Sequence, residues 1–223
     1  MNERLSRQLD AHEVRVVGCL LEKQQATPEY YPLTLNALVA ACNQRSNRNP
    51  VMTLTDRDVG LALQRLIDDG LAKRDDSGRA SKWSQRVEWR WNLGAASKAA
   101  LTVLLLRGPQ TAGEVRARSA RLYEFSSSQA AEAALADLAG PPEPLVQLLE
   151  RDPGQKEARW AHRVGEDDPA APAPFATDTP RPAAAAPAAT FDADLVLKRL
   201  ALLEQQVQEL QAAQPKQKGI FDD

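Results

Sequence analysis

The stretch TDRDVGLALQRLIDDGLAKRDDSGRASKWSQRVEWRWNL (55–93) decides how this chain folds. Thr55 and Asp58 have the spacing of a capping box, in which each side chain satisfies a backbone N–H that the first helical turn leaves without a partner. Val59, Ala62, Leu63, Leu66 and Ile67 then recur at helical spacing and make one apolar stripe. Gly70 stands where a helix end takes the left-handed conformation. Beyond it, LAKRDD leads to a Ser77-Gly78 turn. In VEWRWNL, Val87, Trp89, Trp91 and Leu93 alternate with Glu88, Arg90 and Asn92. That period of two predicts a half-buried strand over 87–93.

Upstream, Asp10 and Glu13 make a second capping box, followed by Val14, Val17, Leu20 and Leu21 on one helical face. The prolines of TPEYYP stop that helix, because neither can donate a backbone N–H. Thr34 caps the next helix, with Leu35, Leu38, Val39 and Cys42 as its stripe, and NQRSNRNP (43–50) closes it. Three helices and a β-hairpin in this order make a winged helix, here over residues 8–93.

The order recurs over 94–165. Ser97 starts a helix through Leu101, Leu104 and Leu105, which Gly108-Pro109 stops. Thr111 with Glu114 caps a second helix. Ser126 with Gln129 caps a third, whose stripe is Ala131, Ala134, Leu135 and Leu138, and Gly140 takes the place of Gly70. LVQLLER (145–151), a DPG turn and ARWAHRV (158–164) supply a second hairpin. Residues 166–190, dominated by Pro, Ala and Asp, read as a disordered, semi-extended linker. Over 191–214, Val196, Leu200, Leu203, Val207 and Leu210 have heptad spacing. They predict either a coiled-coil helix that dimerises the chain or a helix packed back on its own domains. Residues 215–223 are a tail. The fold class expected is α+β, mainly α with small β-hairpin wings.

Composition narrows the function. Residues 1–93 carry 14 Lys/Arg against 12 Asp/Glu, residues 94–165 carry 9 against 8, and residues 166–223 carry 5 against 10. The folded part is mildly basic and the tail acidic, without the strong positive balance of a dedicated nucleic-acid binder. Cys19 and Cys42 lack any metal-binding spacing and read as buried thiols. MNERLSRQLD has no signal-peptide core. The longest apolar run, AALTVLLL (99–106), is far short of the ~20 residues that span a bilayer. A cytoplasmic location is expected, with no membrane partner.

Catalysis finds no support. His12 and His162 stand apart from any Cys, Ser or metal partner in a recognisable motif. Gly108 and Gly113 have P-loop spacing, but Glu114 and Val115 follow where Lys and Ser/Thr are required, and an acid there would repel phosphate. Neither an enzyme, a cofactor nor a metal is expected.

Duplex DNA is the usual ligand of winged helices. The third helix of 8–93 presents Arg57, Gly60, Leu61, Gln64 and Asp68. Arg57, Gln64 and Arg65 suit base edges, whereas Asp56, Asp58, Asp68 and Asp69 oppose phosphate. The hairpin region 73–90 holds Lys73, Arg74, Arg79, Lys82, Arg86 and Arg90 against Asp75, Asp76 and Glu88, with Trp83 among them. Arg45 and Arg48 lie in the loop after the second helix. The expected phosphate contacts are Arg45, Arg48, Arg79, Lys82 and Arg86. The plainer alternative is a solvated hairpin with Trp89 and Trp91 in the core. In 94–165 the third helix offers Gln129, Glu132, Ala133 and Ala136, which suit DNA poorly, while Arg116, Arg118 and Arg121 cluster on or after the second.

LTLNALVAACNQRSNRNPV (33–51), LYEFSS (122–127) and PGQKEARWAHRV (153–164) resemble the YceH-like proteins, an uncharacterised bacterial family. The resemblance covers residues 8–165. It implies two winged-helix domains, often followed by a coiled-coil segment. Two functions stay open. One is a DNA-associated regulatory or accessory factor, dimerised through its C-terminal helix. The other is a protein-binding adaptor that resembles segregation and condensation protein B in architecture, with Leu61, Leu200, Leu203 and Val207 as interface residues.

Overall fold

The computed structural model describes residues 7–141, 143–151 and 154–166. The expected linker beyond Glu166, the coiled-coil helix with Leu200, Leu203 and Val207, and the tail lie outside the described residues. The described part is a mixed α+β structure, mainly helical, with two small antiparallel sheets.

Helix α1 (Ala11–Ala26) begins at the expected capping box: Asp10 accepts from the Glu13 N–H at 2.9 Å, and Glu13 accepts from the Asp10 N–H at 2.7 Å. Strand β1 (Leu33–Thr34) follows, then α2 (Leu35–Cys42), capped by Thr34. Helix α3 (Asp56–Asp68) starts at the Thr55–Asp58 box. Strands β2 (Ala72–Asp75) and β3 (Lys82–Gln85) form the hairpin, with Ala72 opposite Gln85 and Asp75 opposite Lys82. Strand β1 joins its free edge, Leu33 opposite Trp83, so the sheet order is β1-β3-β2. Gly70, at φ +71°, makes the tight exit from α3.

Residues 94–165 supply α5 (Ala95–Arg107), α6 (Ala112–Arg118), α7 (Ser128–Leu138) and the hairpin β4 (Val146–Leu148) with β5 (Trp160–His162), after a one-turn helix α4 (Val87–Arg90). Helix α1 is buried from Glu13 to Leu21 because α2 and α3 cover one side and α5 the other. The buried apolar side chains from Leu9 to Val164 form one continuous core.

Four local expectations are corrected. The strand expected over 87–93 is helical at its start: Val87 and Trp91, four apart, are fully buried, whereas Trp89 points away and is 72 % exposed. A single helical turn buries i and i+4, which a short alternating run also satisfies. The true strand is the polar KWSQ, held by its pairing with β1 and β2. Helix α5 starts at Ala95 with Gly94 as its cap, and Ser97 lies inside it, donating to Asp137 at 3.0 Å. Helix α7 is capped by Ser127, not Ser126. Gly140 does not share the positive φ of Gly70.

Tyr31 ties the approach to β1 onto the sheet, its hydroxyl accepting from the Gln85 N–H at 2.6 Å. Burial, with the Glu88 carboxylate adding to it, pushes its phenol from the usual 10 up to about 12. A raised phenol favours the neutral folded form, so this contribution is complete below pH 10 and is lost as pH rises through 12. Thermal unfolding from neutral pH to pH 12 is expected to show that loss. Tyr31→Phe, less stable at neutral pH because the Gln85 N–H loses its acceptor, should show a shallower decline. An identical decline in both proteins would remove Tyr31 from the account.

Near the two ends of the described fold, the Leu9 N–H donates to Val164 O at 2.8 Å and the Glu166 N–H donates to Leu9 O at 2.9 Å. Leu9 is fully buried in this clasp. A Cβ at Gly165 would stand 3.0 Å from Val14 Cγ2 and 3.2 Å from His162 Cε1, so a larger residue there would press on both side chains.

Candidate nucleic-acid interface

The exposed face of the β2–β3 hairpin is cationic. Lys73, Arg79, Lys82 and Arg86 all reach solvent, and among the described residues none of them is in a salt bridge. Arg74 is committed elsewhere: it pairs with Asp76 at 2.8 Å, donates to Ser81 at 2.9 Å and lies over the Trp83 ring at 5.7 Å. The Ser81 hydroxyl, donating to Asp76, and then Arg74 hold the Asp76 carboxylate below the usual range, and the Ser77 N–H does the same for Asp75. Arg86 lies over the Trp89 ring, 5.7 Å from its centroid. An indole orients a guanidinium while leaving its in-plane N–H donors free for an anion. The alternation that pointed Trp89 into the core concealed this platform. In helical spacing, 87 and 91 share a face and 89 stands opposite, which is the signal that could have found it.

Helix α3 presents few free polar side chains. Arg57 and Leu61 are exposed, Leu61 by 52 %. Gln64, however, donates to Asp68 at 2.9 Å, and Arg65 pairs with Asp10 at 2.7 Å. The acids of this helix are also partly engaged. Asp58 accepts from the Thr55 N–H at 2.8 Å and from its hydroxyl at 2.7 Å, which lowers its pKa, and Asp69 pairs with Arg7 at 2.7 Å.

The 43–50 loop is a hydrogen-bonded corner. Asn43 accepts from the Leu54 N–H at 2.7 Å and donates to Leu54 O at 2.8 Å. Asn49 donates through its backbone to Leu106 O and through its side chain to Arg107 O. Arg48, expected to touch phosphate, is buried instead: its side chain is fully enclosed and forks onto Glu22 at 2.6 and 3.0 Å. It donates further to Ala41 O and Asn47 O. Arg15, which the sequence did not mark, is buried alongside and donates to Cys42 O and Pro50 O. Its burial lowers its pKa. Cys19 and Cys42 are buried free thiols, and their mutual hydrogen bond together with burial raises Cys42. Arg45 alone of the expected pair remains at the surface.

His12 is exposed and His162 half-buried in β5. Among the described residues, no cluster of three or more His, Cys, Asp or Glu could hold a metal ion, and no helix is long and apolar enough to cross a membrane.

Residues 9–155 match the family model described as "Protein of unknown function, DUF480". A UPF0502 protein of Chromobacterium violaceum is 51 % identical over 168 residues, which cover 74 % of this chain and 76 % of that protein. One of Geobacter metallireducens is 51 % identical over 155 residues, covering 69 % and 71 %. One of Shewanella loihica is 43 % identical over 213 residues, covering 91 % and 94 %. With the capped helices, the 43–50 corner and both hairpins all inside or overlapping the matched span, this chain belongs to the DUF480 family of UPF0502 proteins.

Proposed function

We propose that this chain is a non-enzymatic, tandem winged-helix protein that associates with duplex DNA as a regulatory or accessory factor. The order helix–strand–helix–helix–hairpin, with β1 on the edge of β3, supports the winged-helix reading of residues 8–93. Three helices followed by a hairpin support it for 94–165. The observation that carries the DNA reading is the hairpin face, where Lys73, Arg79, Lys82 and Arg86 stand exposed beside the Trp89 platform. Phosphate contact, not base reading, is its main contribution, because Gln64 and Arg65 on α3 are held by Asp68 and Asp10.

Fluorescence anisotropy of the full chain with a labelled duplex, across a salt series, tests this. Each phosphate contact adds about 0.9 to the log–log salt slope. The variant carrying Arg79→Ala, Lys82→Ala and Arg86→Ala is therefore expected to flatten the slope by about 2–3. No binding at low salt, or a slope unchanged in the variant, would sink the DNA reading.

The exposed Leu61 and Val51 favour a second reading, a protein partner seated on α3. Leu61→Glu should then abolish capture of that partner while leaving any DNA binding in place.

A further inference from the structure

We propose that the groove between the end of α1, the 43–50 corner, α5 and α6 binds a phosphate-bearing small molecule of nucleotide size. Its volume is about 690 Å³, within the range of small-molecule sites. Lys23, Arg107, Arg118 and Arg121 line it, against Glu22 as the single lining carboxylate among the described residues. Glu22 is already engaged by Arg48 at 2.6 Å and by Lys23 at 3.6 Å. The groove therefore holds an excess of positive charge.

The cations are poorly compensated by the protein itself. The Arg107 guanidinium donates to the Asn47 side-chain oxygen and to no carboxylate among the described residues. Burial, then the facing charges of Arg118 and Arg48, hold its pKa below the ordinary arginine value. Arg118 donates to Gln110 and stands 3.6 Å from Glu114, but that carboxylate is closer to Arg159, at 2.8 Å. Arg121 has no hydrogen bond or ion pair among the described residues, and it is exposed. Partly buried guanidinium groups facing one another repel, and a bound anion removes that repulsion.

The rest of the lining suits the remainder of such a ligand. Leu122, Ala117 and Ala120 give an apolar wall, and Gln44 and Asn47 add side-chain amides. Guanidinium forks match phosphate oxygens in pairs. An apolar wall beside them fits a nucleoside better than a bare inorganic ion. The groove shares no residue with the hairpin or with α3, so it stands whether or not the chain binds DNA.

Isothermal titration calorimetry of the full chain at low salt, with ATP, pyrophosphate and adenosine as probes, tests the proposal. ATP should bind more tightly than pyrophosphate, and adenosine more weakly than either. Arg121→Gln, at an exposed position that leaves the fold alone, and Arg118→Gln should each weaken ATP about tenfold. The Lys82→Ala, Arg86→Ala variant should keep full affinity. Three outcomes would overturn the proposal: no binding of ATP or pyrophosphate, affinity unmoved by Arg121→Gln and Arg118→Gln, or an equal loss in the hairpin variant. Equal affinity for ATP and pyrophosphate would overturn the nucleoside half of it.

Discussion

Glu22→Leu is expected to destabilise the chain by about 3–5 kcal/mol, the cost of leaving a buried charge without its partner. The Arg48 side chain is 0 % exposed and Glu22 12 %, and the two meet through a fork at 2.6 and 3.0 Å. Without the carboxylate, Arg48 keeps the carbonyls of Ala41 and Asn47 but carries an uncompensated charge in a site that burial has stripped of water. The double variant Glu22→Leu, Arg48→Met should recover most of the loss, because an apolar pair of similar volume removes both desolvation costs. Asp76→Ala is the control: its pair with Arg74 is more than half exposed on both sides, and the unfolding midpoint should barely move. Urea unfolding of the three variants decides the matter. A Glu22→Leu shift no larger than that of Asp76→Ala would mean that Arg48 is not held by this pair.

Gly18→Leu is expected to cost about 3 kcal/mol through overpacking. Gly18 lies where α1 crosses α5. A Cβ there would stand 2.7 Å from Leu106 Cδ2, 3.0 Å from Leu106 Cγ and 3.2 Å from Leu105 Cβ. Both leucines are buried, so neither can swing aside into solvent. Even Gly18→Ala should destabilise, although alanine is the better helix former by about 1 kcal/mol. Gly60 supplies the opposite sign. It lies inside α3 with nothing within 4 Å of a new Cβ, so Gly60→Ala should stabilise by roughly 0.5–1 kcal/mol. If Gly18→Ala also stabilised, α1 and α5 would not be in contact at this point. Gly18→Leu should cost less in a Leu106→Ala background, which tests the contact directly.

What the sequence disclosed here divides by range. The caps at Asp10, Thr34, Thr55 and Thr111 were legible because each is closed by a residue three positions away. The apolar stripes of α1, α2, α3 and α7 were legible for the same local reason. Strand β3 was not, since KWSQ has no apolar period and takes its form from partners at 33–34 and 72–75. Among the candidate contacts, Arg79, Lys82 and Arg86 could be placed on a hairpin from charge and turn residues alone. Arg48 could not be told from Arg45: its burial depends on Glu22, 26 residues earlier. Charge along a chain reports what a side chain can do, and only packing decides whether it meets water or a carboxylate.

The clasp of Leu9 with Val164 and Glu166 has a topological meaning. The described fold enters and leaves at the same place, so its connectivity is close to a closed ring. Joining Glu166 to Arg7 through a few glycines and opening the exposed Ser77-Gly78 turn would give a circular permutant with every helix in its present neighbourhood. In such a molecule α3 and β2 would come at the end of the chain instead of its middle, and β3 would come first.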